Sequence, residues 1–327
     1  MKQILSSKLS ATYLMTGTCS VMHMLVDGIC ICCLYLVASP FSTAEVVGTF
    51  ISYNVLAFLS QPLTGVWADK SEQRHWMLLA SILLLTLAVL ASSVLISAEI
   101  RTFGMPAVAV LLGAGNSLFH VWGGKQVAVG TGNDIRALGT FVATGAFGLS
   151  VGAIFFSWTL LYLFLIVYCL LSLLFLHIND YEALTGPSKA ARGSWGATFV
   201  LFSIIALMAA VLTRSFVNES FSTRLPKSGE MVLFIGLISM LGKMAGGWIA
   251  RWTGIVRMIV IVLIVLVLCF IFRNHSSTAL FAGLFAINCT MPVTLYLANL
   301  VLPGREGLAF GLLAAALIPG YLFSFII

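Results

Sequence analysis

Residues 9–38 read LSATYLMTGTCSVMHMLVDGICICCLYLVA, and Asp27 is the one formal charge among them. An apolar run of this length, coiled as a helix, is long enough to cross about 30 Å of hydrocarbon. The pattern continues outward from it. The chain has 327 residues, 60% of them hydrophobic and 9% charged, with a mean hydropathy of +1.07. An ordinary soluble domain carries about 25% charged residues. Apolar runs alternate with short polar breaks, and ten-residue alternating segments of the barrel type are missing. The fold class is therefore an all-α polytopic membrane protein.

Eleven spans are expected, near 9–38, 43–68, 76–97, 104–128, 137–157, 159–177, 195–216, 229–251, 257–273, 278–302 and 306–327. Lys2 and Lys8 precede a first run too long for a signal-peptide core, so that run reads as the first membrane helix. With the N-terminus inside, twelve of the seventeen Lys and Arg residues fall on the inner side, as the positive-inside rule favours. Trp67, Trp76, Trp195, Trp248 and Trp252 sit near the same boundary. This places the chain in a bacterial-type plasma membrane with a cytoplasmic N-terminus. The basic residues flank spans and form no patch, which excludes nucleic acid as a partner. All seven cysteines fall in apolar runs. Cys30, Cys32 and Cys33 read as small buried hydrophobes rather than a metal site. No cofactor or metal is expected, and a monomer is.

The longest inner break, HINDYEALTGPSKAARGSW (177–195), divides the chain. The expected organisation is a six-helix half over 1–178, a cytoplasmic linker over 179–194 and a five-helix half over 195–327. GVWAD (65–69) ends the second span, and GGWIAR (246–251) echoes it at the end of the eighth. Gly65 matches Gly247, and Asp69 matches Arg251. Repeated halves of this kind are found in secondary transporters.

Span one carries a polar stripe. Thr12, Thr16, Ser20, His23 and Asp27 step by four, four, three and four, so they share one helical face. Such a stripe is expected to face protein or a water-filled cavity rather than lipid. Histidine as a residue type is a proton carrier near neutral pH, and a carboxylate one turn away makes His23 and Asp27 a candidate pair for proton exchange. The bland alternative is a hydrogen-bonded pair that only fixes helix packing. In span four, Asn116 and His120 are again one turn apart. Lys125 is about 140° round the helix from His120, so it reads as an inner-surface anchor or a more distant ligand. Lys243 lies deep in span eight, and Arg214 is placed at the outer end of span seven. If these cations line the cavity, the substrate is an anion. In span ten Asn288, Pro292 and Tyr296 repeat every four residues, and Pro292 is expected to kink the helix.

GVWADKSEQR (65–74) resembles the loop motif of the major facilitator superfamily at Gly65, Asp69, Lys70 and Arg74, while Glu72 and Gln73 depart from it. GAGNSLFHVWGGKQ (113–126) resembles the fourth helix of the fosmidomycin-resistance branch at Gly113, Gly115, Asn116, Phe119 and His120, with Val121 where Pro is usual. GAFGLSVG (145–152) looks like the glycine motif of exporters without its Pro, and close helix packing explains it equally well.

The resemblance implies a helical bundle of two pseudo-symmetric halves. It implies proton-driven export of a small drug-like molecule or metabolite by alternating access. His23 and Asp27 would carry the proton. Ser20, Asn116, His120, Lys125, Lys243 and Asn288 would contact substrate. Gly65, Asp69, Lys70, Arg74, Gly247 and Arg251 would gate the inner side. A twelfth span is expected in such a fold and is not found. No P-loop, HExxH or GxSxG stretch is present, so an enzyme is not expected. The alternatives are a uniporter or importer of a small organic anion, and a non-transporting membrane sensor or assembly partner.

Overall fold

A computed structural model describes residues 2–38, 43–71, 75–95, 101–177 and 195–323. Arg74 and the 179–194 linker lie outside the described residues. Every regular element among those described is helical, because backbone in hydrocarbon must satisfy its own hydrogen bonds. The first set of helices comprises α1 (Lys2–Ala38), α2 (Thr43–Asn54), α3 (Gln61–Lys70), α4 (Trp76–Leu95), α5 (Arg101–Gly130), α6 (Ile135–Ile154) and α7 (Trp158–His177). The second set comprises α8 (Ala197–Ser222), α9 (Gly229–Thr253), α10 (Ile255–Phe272), α11 (Ser277–Asn288), α12 (Met291–Val301), α13 (Glu306–Ala315) and α14 (Ile318–Phe323).

Among the described residues ten stretches are long and apolar enough to cross a membrane, not the eleven expected. The apolar segment at 306–320 is shorter and breaks between α13 and α14. Pro319 explains the break, since its ring clashes with the carbonyl four residues back. The helix expected to end at 216 runs on to Ser222. Its polar residues make local bonds instead of ending it: Ser222 Oγ donates to Glu219 Oε2 at 3.1 Å. Arg214 therefore lies eight residues inside the helix end and is buried, which corrects its placement at the outer end. Span ten breaks at Cys289–Thr290, just ahead of Pro292. Span two contains a π-helical turn, Val55–Leu59, which its apolar pattern does not signal. Spans five and six part where expected, with Ser157 Oγ accepting from the Leu160 amide at 3.2 Å.

α6 lies at the centre, packed between α1 of its own set and α9 of the other. Glycines make both approaches possible. A Cβ at Gly148 would strike the Met24 carbonyl, and one at Gly152 would strike the Gly28 carbonyl. On the opposite side Gly236 and Gly247 of α9 meet Ser150 and Ile135 of α6. Backbone-to-backbone packing of this kind is how membrane helices gain contact where lipid supplies no hydrophobic drive.

Candidate functional site

The polar stripe of α1 turns inward. Thr16, Ser20, His23 and Asp27 are buried against α5 and α6. Thr16 and Ser20 donate back to carbonyls one turn earlier, at 3.0 and 2.7 Å. Ser20 also offers its own carbonyl to Thr144 Oγ1 at 2.6 Å. Its hydroxyl is thus committed to its own helix.

Asp27 is the focus. Its Oδ1 accepts from Asn116 Nδ2 at 2.9 Å and lies 2.9 Å from His120 Nε2. Its Oδ2 is 3.3 Å from His23 Nε2. His23 Nδ1 is 2.7 Å from the Phe141 carbonyl, which can only accept, so Nδ1 carries a hydrogen. A neutral His23 would then turn a bare Nε2 toward a carboxylate oxygen. The contact is favourable when a further proton sits on His23 or on Asp27. The pair thus offers two positions for that proton. Gly145 completes it: a Cβ there would strike both Asp27 Oδ2 and His23 Nε2. The ligand atoms of His23, Asp27 and His120 lie within 4.8 Å of one another, close enough to share a metal ion as well.

The second set of helices closes the site through Phe310 of α13. Its ring is 6.5 Å from His120 and 6.0 Å from Phe141, centroid to centroid. Only two residues separate Phe310 from Gly307, where α13 is anchored. Asp69 Oδ1 and Oδ2 accept from the Gly307 and Leu308 amides at 2.9 and 2.8 Å, capping α13 from another helix. Lys125 belongs to this anchor rather than to the Asp27 cluster. Its Nζ donates to the Ala68 carbonyl at 2.6 Å and lies 3.4 Å from Asp69 Oδ1. Gly65 lets α3 reach the Gly307 backbone. Lys70 is exposed beside it.

The echoed motif packs in a parallel way. Gly247 of α9 meets Ile135 and Arg136 at the start of α6. Here the acid is supplied by the capped helix itself. Asp134 accepts from the Arg136 amide at 2.9 Å and from Arg136 Nη2 at 2.6 Å, and Arg251 adds its field. Burial raises the Asp134 pKa, but the Arg136 hydrogen bonds outweigh it and hold the carboxyl below its ordinary 3.8. Arg136 in turn lies 5.2 Å above the Trp248 ring.

Asn288 is drawn elsewhere. Its Nδ2 donates to Asn218 Oδ1 at 2.9 Å and to the Leu284 carbonyl at 2.8 Å, tying α11 to α8. Sequence reasoning missed Asn133 and Asn299. Asn299 Nδ2 donates to Asn133 Oδ1 at 2.9 Å, and Asn133 donates to the Tyr296 carbonyl at 3.2 Å. Gly132 and Asn133 both have φ of +63°, and the Gly-Asn-Asp turn signal at 132–134 marks the spot.

No protein-family model and no curated protein matches the sequence. Solved structures do match. The E. coli fucose:proton symporter FucP aligns with a TM-score of 0.68 at 12% identity, covering 98% of this chain and 91% of that one. A bacterial homologue of the iron transporter ferroportin, in an outward-facing state, aligns at 0.62 and 16% identity over 95% and 91%. The human organic anion transporter MFSD10 aligns at 0.61 and 18% identity over 95% and 93%. At these identities the likeness is one of fold, and the fold of this chain is the all-α bundle of the major facilitator superfamily transporters.

Proposed function

We propose that this chain is a secondary transporter that couples movement of a small molecule to protons by alternating access. The observation that carries the reading is the Asp27 cluster. A buried carboxylate lies against two histidines, and its contact with His23 is favourable only with a further proton on the pair; intramembrane ionisable groups are costly to keep otherwise. Residues 1–178 would rock against 195–327, joined by the 179–194 linker. Asp69, Lys125 and Gly65 would form the latch, released when α13 withdraws. Because Phe310 rides on α13, release of the latch would also uncover His120. Export in exchange for protons is the direction that the likeness of span four to the fosmidomycin-resistance branch implies. The positive-inside distribution favours a cytoplasmic N-terminus.

The test uses reconstituted vesicles loaded with a pH-sensitive dye and challenged with a panel of small drugs and metabolites. A solute that drives proton movement in the wild type should lose that effect in Asp27→Asn, with the thermal midpoint retained. Solute flux indifferent to an imposed pH gradient would overturn the coupling.

A second reading, a divalent transition metal as cargo, is favoured by the 4.8 Å spacing of His23, Asp27 and His120. It predicts a thermal shift with Mn²⁺ or Co²⁺ that Asp27→Asn removes.

A further inference from the structure

Two cations within the second set of helices, Arg214 and Lys243, take no part in the ties between helices described above. Arg214 on α8 is 6% exposed, and its Nε and Nη2 have no hydrogen-bond partner. Lys243 is partly buried in the middle of α9. Among the described residues neither has a carboxylate at ion-pair distance. The two act on each other electrostatically, and Lys243 also acts on Asp27 and His120. Their helices α8 and α9 both pack on α11 and α12, and the charge of Lys243 reaches both Arg214 and the Asp27 cluster.

Asp27 does not serve them as counter-ion, because its oxygens are engaged by Asn116, His120 and His23. Glu219 is engaged with Ser222, and Glu306 accepts from the Gly304 amide. Uncompensated charge inside a membrane protein is unfavourable and marks a ligand or ion path. The two orphaned donors of Arg214, Nε and Nη2, form one edge of the guanidinium fork. That edge binds a carboxylate or phosphonate through two parallel hydrogen bonds. Lys243 adds a point charge beside it. Two fixed positive charges also oppose a divalent cation in the same space.

We propose that Arg214 and Lys243 bind the oxyanion group of the transported molecule, so that the substrate is a small organic anion. The proposal rests on the transporter reading and assigns its substrate class. Neither the orphaned guanidinium edge nor its relation to Lys243 is visible without the packing of α8 and α9 on α11 and α12.

Thermal unfolding of the purified full chain tests this with millimolar benzoate, phenylphosphonate, benzamide and benzylammonium. The oxyanions should raise the midpoint, while the neutral and cationic analogues should not; the benzoate and phenylphosphonate arms separate a planar from a tetrahedral preference. Arg214→Met and Lys243→Met should each weaken the oxyanion response about tenfold or more, the loss of a charge-assisted hydrogen bond. Without ligand, Arg214→Met should unfold at the same or a higher temperature, because a buried charge lacking a partner has been removed. An equal response to benzoate and benzamide, no response to either oxyanion, or a lowered midpoint for ligand-free Arg214→Met would each overturn the proposal. Oxyanion binding without flux in vesicles leaves this site standing and fails the transporter reading. Proton-driven flux of neutral solutes with no oxyanion effect does the reverse.

Discussion

At Asp27 three side-chain nitrogens converge on two oxygens, and the space they occupy exists because residue 145 has no side chain. A methyl group there would force α1 from α6 or break the Asp27–His23 contact. Gly145→Ala should therefore destabilise the protein by about 1–3 kcal/mol, the usual range for overpacking, and abolish proton-linked flux. A variant with unchanged midpoint and flux would show that the close approach is unimportant. The stripe on α1 was legible in the sequence, since steps of three and four on a helix define a face. So were Asn116 and His120 as polar residues one turn apart. That all of them meet on one carboxylate was not legible, because it depends on how α5 rotates against α1. Lys125 shows the same limit. Its angular offset from His120 was readable, but its partner Asp69 lies on another helix.

At the scale of the element, helix starts do much of the joining. Asp69 caps α13 from α3, and Asp134 caps its own helix α6 while holding Arg136. Asp134→Ala should cost about 1 kcal/mol, as loss of an N-cap does, read from the thermal midpoint. The sign of the pH dependence follows from the depressed Asp134 pKa. The folded state binds the proton less readily than the unfolded one. Its stabilisation is present above the ordinary carboxylate pKa and is lost as pH falls below it. Between about pH 5 and pH 3 the wild type should lose more stability than Asp134→Asn, which keeps the cap without the charge; parallel loss in both would refute this. Element ends were where the sequence misled. The polar tail of α8 reads as a loop, yet Asn218 and Ser222 find partners and the helix continues. Pro292 did mark a break, and Pro319, through which the last span was expected to run unbroken, accounts for another, because a missing amide and a ring clash act locally.

Across the whole molecule, the two sets of helices are tied at the end that carries Asp69, Asn133 and Asp134, while α6 and α9 run against each other along their length. If that end must part during transport, then joining it should stop the cycle. Replacing Asn133 and Asn299 with cysteines should give flux that oxidation blocks and a reductant restores; flux unaffected by oxidation would show that this junction stays closed. By itself the sequence determined the fold class, ten of the eleven expected spans, the positions of intramembrane ionisable groups and a repeated Gly-to-charge motif. Hydropathy and helical periodicity are local properties, so they can be read along the chain. Only the tertiary structure decided which of those groups meet. Asp27 gathers His23, Asn116 and His120, Lys125 goes to the latch, Asn288 goes to Asn218, and Arg214 and Lys243 are left without acids. Partnership between helices depends on their rotation and depth, and glycine contacts set both once the chain has folded.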